Sequence, residues 1–258
     1  MEDLLRITVV QQTIIWEDPG GNIAKLESLI NEIHETDIIV LPETFNTGFS
    51  MKPLNLFETM DGVTVSWMKS KAKELHAVVT GSLIVKDNGK VYNRCVWATP
   101  GGALQWYDKW HLYSMGGEDR HFTAGREKLI AEWKGWRICP LICYDLRFPV
   151  WSRNQENYDI LMYVANWPSA RHHVWKNLLV ARAVENQSYC IGVNRTGSDG
   201  MGLDYLGDSA MIGPKGYGQF IGPQEKIQAF ELSYKELHDF RKKFPVLRDK
   251  NSFIFKNN

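Results

Sequence analysis

The chain has 258 residues, 44% of them apolar and 23% charged, and thirty basic residues balance thirty acidic ones. No global field therefore draws nucleic acid or an anionic membrane to it, and a charged ligand has to be held by local groups. No stretch approaches transmembrane length, and the acidic start Met1-Glu-Asp-Leu-Leu-Arg-Ile lacks the apolar run of a secretory signal. Four cysteines, at 95, 139, 143 and 190, are then expected as reduced thiols of a cytoplasmic protein. No repeat or low-complexity linker divides the chain, so a single domain over residues 1–258 is expected.

Leu5 to Val10 reads as a buried strand, followed by Pro19-Gly-Gly and a helix capped by Asn22, with Ile23, Leu26, Ile30 and Ile33 on one face. Asp37 to Leu41 is a second buried strand that runs into Pro42-Glu43-Thr-Phe-Asn-Thr-Gly48. Glu43 thus stands where a strand end meets a loop, the place at which open α/β folds carry chemistry. The spacing of Val65, Met68, Ala72 and Leu75 predicts a helix over about 64–76. Three strand-like runs follow, 78–85, 91–98 and 103–107, joined as a meander by Asp87-Asn-Gly89 and Pro100-Gly-Gly102. From Asp108 to Gly125 the periodicity is lost, and this long loop carries Lys109, His111, Glu118 and Arg120.

Residues 128–133 and 136–142 read as strands about Lys134-Gly135, and the second ends in Cys143. Tyr144, Asp145, Leu146 and Arg147 then open a helix with an acidic residue in its first turn. A cysteine at such an elbow is presented as a nucleophile, because the positive helix end favours thiolate and the turn pushes sulfur out of the sheet. Cys139, near the apolar Ile138 and Leu141, better fits an inert buried cysteine. Another buried strand, 159–165, ends in Asn166-Trp167-Pro168, before a helix over about 174–187 and a strand over 189–193. Asn194-Arg195-Thr-Gly opens a Gly-rich loop, strands are expected at 209–212 and 227–232, and a charged amphipathic segment after Ser233 ends in Phe253-Ile-Phe255. Strands alternating with helices, interrupted by meanders, define an α/β protein with more than one sheet. Glu43, Lys109, Cys143, Asn166 and Arg195 all fall at or just beyond strand ends, so one rim can gather them.

Three chemistries can be built around Cys143. A Cys/His pair could use His111, His172 or His173, but none stands in a cysteine-protease context. A metal site could use Cys139 and Cys143 with the two adjacent histidines, but cysteines four apart on a strand do not form a chelating turn, so no metal is expected. Gly197-Ser-Asp-Gly200-Met-Gly202 has the glycine spacing of a dinucleotide loop reversed and no helix pattern after it. The third chemistry is a Glu/Lys/Cys set. Taken singly, Glu43 and Lys109 read as solvated charges, Trp110 and His111 as packing residues, and Arg182 with Glu185 as a helical ion pair.

Six short motifs occur in order: Leu41-Pro-Glu43-Thr, Tyr107-Asp-Lys109-Trp-His-Leu, Cys143-Tyr-Asp-Leu-Arg-Phe-Pro, Ala165-Asn-Trp-Pro, Ala181-Arg-Ala-Val-Glu-Asn-Gln and Asn194-Arg-Thr-Gly. Together they resemble the nitrilase superfamily of carbon–nitrogen hydrolases over essentially the whole chain, and most of all its bacterial omega-amidase branch. The resemblance implies a four-layer α-β-β-α sandwich, commonly dimeric through the face that carries the elbow helix. It implies a cofactor-free amidase in which Glu43 is the general base, Lys109 the oxyanion-stabilising cation and Cys143 the nucleophile. Glu118, ahead of Phe122 and Gly125, matches the second glutamate of such enzymes, although Gly116-Gly117 and Asp119 depart from the common pattern. The Tyr144 N–H, just past the nucleophile, is the natural second oxyanion donor.

The branch acts on small-molecule amides, 2-oxoglutaramate and 2-oxosuccinamate. An N-carbamoyl hydrolase, a deaminated-glutathione amidase and a silent scaffold of the same fold remain the alternatives. A distant substrate carboxylate calls for a specific cation. Arg195 is the first choice and Arg171 the second, with Arg147 read as structural. Asn166, Trp167 and Phe49 complete the expected substrate pocket, the two aromatics as its walls.

Overall fold

The computed structural model describes residues 3–255; Met1 and Glu2 of the acidic start lie outside the described residues. In chain order the elements are β1 (Leu4–Gln11), α1 (Pro19–Ile30), β2 (Ile38–Val40), α2 (Val63–Leu75), β3 (Val78–Asp87), β4 (Lys90–Ala98), β5 (Leu104–Asp108), β6 (Ala131–Trp133), β7 (Trp136–Ile142) and α3 (Pro149–Ser152). They continue with β8 (Ile160–Ala165), α4 (His172–Asn186), β9 (Tyr189–Asn194), β10 (Thr196–Ser198), β11 (Asp204–Leu206), β12 (Ala210–Ile212), β13 (Gly218–Phe220), β14 (Lys226–Ser233) and α5 (Tyr234–Lys243).

Two six-stranded sheets result, β14-β1-β2-β3-β4-β5 and β13-β12-β9-β8-β7-β6, with β10 and β11 as a separate hairpin. Within each sheet the central strands are parallel, β1-β2-β3 in one and β7-β8-β9 in the other, while the flanking pairs are antiparallel. Alternation along the strands explains the layering. Leu5, Ile7 and Val9 of β1 and Ile38 and Val40 of β2 share a buried cluster with Ile138, Ile142, Leu161 and Tyr163 of the second sheet. The intervening Val10 and Ile39 turn the other way, onto Leu26, Ile30, Val65, Met68 and Ala72 of α1 and α2. Trp175, Leu179 and Ala183 cover the far side of the second sheet from α4. Gly192 in β9 permits that approach, because a Cβ there would stand 2.6 Å from Leu179 Cδ1. The layers run helix, sheet, sheet, helix, as the motifs imply.

Local chemistry revises several boundaries. Helix α1 is capped by Asp18, which accepts from the Gly21 N–H, with Pro19 in the first turn. Asn22 lies inside that helix, where its amide donates to the carbonyls of Ile15 and Asn46. The expected elbow helix is a 3-10 turn, Cys143–Arg147, followed by the single α-turn α3, because Pro149 cannot donate to a continuing ladder. The charged C-terminal segment forms α5, capped by Ser233, and Arg241 pins it to the Asp159 carboxylate at 2.8 Å. The short strands β10, β11 and β13 carry no periodic signal of their own. Among the described residues no helix is long and apolar enough to cross a membrane.

Candidate active site

The two sheets present their parallel strand ends to one another. Strand β2 ends three residues before Glu43 and β5 immediately before Lys109 in one sheet; β7 ends immediately before Cys143 and β8 immediately before Asn166 in the other. Two non-glycine residues at these ends adopt left-handed backbone, Thr44 at φ 42° and Cys143 at φ 42°. Such conformations cost of order 1–3 kcal/mol and persist where the surroundings impose them, as at functional sites. The Thr44 N–H is held by the Ser82 hydroxyl at 2.8 Å.

Glu43, Lys109 and Glu118, expected to act together, do meet, and all three are essentially excluded from solvent. Lys109 Nζ donates to Glu43 Oε1 at 2.9 Å and to both oxygens of Glu118 at 3.0 Å. Asn93, on β4, lies between the carboxylates and donates to Glu43 Oε1 at 2.8 Å and to Glu118 Oε1 at 3.3 Å. Sequence reasoning missed Asn93; its one signal is a buried amide in the middle of a strand otherwise rich in Val, Trp and Cys. The Tyr113 N–H completes the cradle of Glu118 at 2.6 Å. Phe49, half-buried, borders the ammonium, with its ring centroid 5.0 Å from Lys109 Nζ.

The electrostatics follow from burial of two carboxylates around one ammonium. Desolvation alone would depress the Lys109 ammonium, but the charges of Glu118 and Glu43 outweigh it and hold the group above its ordinary value. Burial raises the Glu118 carboxyl, with Lys109 opposing and Glu43 adding to the rise. The Cys143 thiol is pushed well above its ordinary value, first by desolvation and then by the charge of Glu43, against the pull of Lys109. This corrects the expectation of a thiolate stabilised by a helix end. A five-residue 3-10 turn supplies little dipole, and a carboxylate is the nearer charge.

Asn166 has a different place from the one expected. Its backbone N–H donates to Glu43 Oε2 at 2.8 Å, and its amide to the Glu43 carbonyl at 2.7 Å and the Thr44 hydroxyl at 3.1 Å. The amide Nδ2 is occupied in clamping Glu43 while Oδ1 has no partner among the described residues, and the Asn166 carbonyl lies 3.9 Å from Cys143 Sγ. Trp167 is almost fully buried and tilted against Trp175 at 5.6 Å, with Nε1 donating to the Arg171 carbonyl at 2.9 Å.

The arginines are also redistributed. Arg195 is wholly buried over Tyr205, and its guanidinium donates to the carbonyls of Thr196, Ile14 and Ser198, with Nη1 alone unpartnered. It braces the β10–β11 hairpin. Arg171 lies over the Tyr113 ring at 5.6 Å and Arg147 over Trp167 at 5.0 Å. Neither guanidinium has a carboxylate partner among the described residues, although both are partly buried; Arg94, Arg182 and Arg241 each have one. Among the described residues no three His, Cys, Asp or Glu side chains group so as to hold a metal ion.

A buried Glu/Lys/Glu cluster facing a cysteine on a strained elbow, between two sheets flanked by helices, defines a cysteine-dependent hydrolase of the nitrilase kind. The chain belongs to the carbon–nitrogen hydrolase family, whose pattern it matches over residues 6–226. It is 44% identical to the omega-amidase YafV of Escherichia coli K12, over 96% of this chain and 98% of that one. It is 36% identical to the 2-oxoglutaramate amidase of Bacillus subtilis, over 94% of this chain and 96% of that one. The crystal structure of XC1258 from Xanthomonas campestris, a CN-hydrolase superfamily protein with an arsenic adduct in its active site, is 45% identical. It superposes with a TM-score of 0.97 over 99% of this chain and all of that one. Nit3 of Saccharomyces cerevisiae, of the nitrilase superfamily, shares the fold at 22% identity and a TM-score of 0.83, over 95% and 96% of the two chains.

Proposed function

We propose that the protein is an omega-amidase that hydrolyses the terminal amide of 2-oxoglutaramate or 2-oxosuccinamate to the 2-oxo dicarboxylate and ammonia. The observation that carries this reading is the Glu43–Lys109–Glu118 cluster beside Cys143, together with two arginines, without carboxylate partners among the described residues, that lie over Trp167 and Tyr113. Glu43 takes the thiol proton as sulfur attacks the amide carbon, and Lys109 with the Tyr144 N–H receives the charge that develops on oxygen. The tetrahedral species collapses, the same proton returns to nitrogen, and ammonia leaves a thioester. Water, deprotonated by Glu43, then releases the acid and restores the thiol. Glu118 holds the ammonium so that Lys109 points at the oxyanion while Glu43 moves protons.

The far carboxylate of the substrate is assigned to Arg171 and Arg147, since Arg195 is wholly buried and spends Nε and Nη2 on backbone carbonyls. Phe49 supplies an apolar wall between carboxylate and sulfur. The reading extends to one catalytic domain over the chain that assembles as a homodimer, with the exposed Val150 and Val184 on the face of α3 and α4 at the contact. Its four unpaired cysteines suit a reducing cytoplasm.

Ammonia release across 2-oxoglutaramate, glutamine, an N-carbamoyl amino acid and a simple nitrile tests the assignment. The 2-oxo acid amide is expected to give the highest kcat/KM, and Cys143→Ala to abolish turnover. A preference for the N-carbamoyl substrate would move the protein to another branch, and undiminished activity of the alanine variant would end the cysteine mechanism.

A further inference from the structure

Each carboxylate in the site has been given a task except one. Asp145, two residues beyond the nucleophile, is fully buried and has no lysine or arginine partner among the described residues. Its Oδ2 accepts from the Tyr107 hydroxyl at 2.8 Å and from the Ile142 N–H at 3.0 Å. Its Oδ1 accepts from the His111 N–H at 3.0 Å and lies 2.8 Å from His111 Nδ1, which must carry its proton to meet an acceptor-only group. Those contacts use the whole capacity of a carboxylate, about four lone-pair sites.

The partners lie on opposite sheets. Tyr107 is on β5, and His111 follows Lys109 on the same loop; Ile142 and Asp145 belong to β7 and the elbow. The Tyr107 hydroxyl also accepts from the Trp110 N–H and from Trp151 Nε1, each at 3.0 Å, and the His111 ring lies flat on Phe148 at 3.7 Å. The other bond between the sheets at this rim, Asn166 to Glu43, fixes the base. Through Glu43 that pair reaches the Lys109 ammonium at 2.9 Å, whereas the loop backbone beyond Lys109 is held to the elbow by Asp145.

We propose that Asp145 is a positioning residue: its carboxylate clasps the Lys109 loop to the Cys143 elbow, setting the oxyanion cation at its working distance from the nucleophile. The inference rests on the roles proposed for Lys109 and Cys143. An error of about 1 Å in such a placement costs roughly a hundredfold in rate. Arg171, one of the two arginines assigned to the substrate carboxylate, lies outside the clasp, so KM is expected to change less than kcat.

Asp145→Asn is the sharp variant. A carboxamide has one acceptor end, and whichever way it turns, its NH₂ faces a backbone N–H, that of Ile142 or that of His111. The expected result is a kcat for 2-oxoglutaramate lowered roughly a hundredfold, with KM within about threefold and cooperative unfolding retained. Iodoacetamide alkylation of Cys143 is expected to slow about tenfold. That reagent reports on Cys143 because Cys95, Cys139 and Cys190 are buried. If Asp145→Asn does not fold, the His111 pair decides. His111→Ala should lower kcat roughly tenfold, and His111→Asn, whose Nδ2 can stand where Nδ1 stands, should restore most of it. Asp145→Asn with kcat and alkylation both within about twofold of the parent, or equal impairment in the two His111 variants, overturns the clasp. A parent protein that releases ammonia from no amide overturns the functional reading instead, and the alkylation rates then judge the clasp by themselves.

Discussion

Asn166 holds Glu43 from both ends, its N–H on the carboxylate at 2.8 Å and its amide on the backbone carbonyl at 2.7 Å. Glu43, the proposed base, is thus contributed by one sheet and oriented by the other. Asn166→Asp reverses this, setting an acceptor against the Glu43 carbonyl and a second negative charge beside its carboxylate. We expect kcat to fall on the order of a hundredfold, with a smaller change in KM, in steady-state ammonia release. Retention of full kcat would show that the strand end alone orients Glu43.

Lys109→Ala removes an oxyanion donor and leaves two buried carboxylates facing each other. A loss of two to three decades in rate is expected from the first effect. The second should cost about 3–5 kcal/mol of folding free energy, the penalty of breaking a buried ion pair from one side. Urea unfolding and single-turnover acylation measure the two separately. A variant slow in acylation yet as stable as the parent would mean that one carboxylate takes up a proton in place of the lost cation.

Stability should fall at alkaline pH because of thiols away from the site. Burial pushes Cys95 and Cys139 up from 9.0 to about 12. A group whose folded pKa is raised contributes fully below the unfolded value and loses that contribution as pH rises towards the folded one. The window is therefore about pH 9 to 12, and each thiol removes about 1.4 kcal/mol per pH unit within it. Cys139→Ala should flatten the decline of the urea midpoint between pH 9 and 10.5; an unchanged slope would assign the decline to other groups.

Arg171→Met and Arg147→Met should raise KM for 2-oxoglutaramate roughly tenfold or more, while an uncharged amide of similar length is affected little. Arg195→Met should instead lower the melting temperature, because the carbonyls of Ile14, Thr196 and Ser198 lose a shared donor. The reverse pattern, with Arg195 selective and the other two indifferent, would return the carboxylate to Arg195.

Much of this architecture is written in local pattern. The apolar runs at β1, β2, β7, β8 and β9 and the turn signals of the β3-β4-β5 meander place strands within one to three residues of where they lie, because burial on both faces demands continuous Val, Ile and Leu. Glu43, Lys109 and Cys143 were legible from motif order, and the strand ends that bear them put them on one rim. The elbow helix was not: a periodic helix start looks the same whether the chain continues as α-helix or is stopped at Pro149 after one 3-10 turn.

What the tertiary structure alone decided is the pairing of polar groups across the two sheets. A sequence shows that Asp145, Asn166 and Arg195 are polar residues near strand ends and Asn93 one in mid-strand, but hydrogen-bond partners more than thirty residues away depend on how two sheets stack. Stacking assigns Asn166 to Glu43, 123 residues earlier, and Arg195 to the carbonyl of Ile14, 181 residues earlier. It also sets the sign of the Cys143 shift. The residue types around a thiol permit a shift in either direction, and only the burial and the placement of Glu43 against Lys109 decide that it is upward.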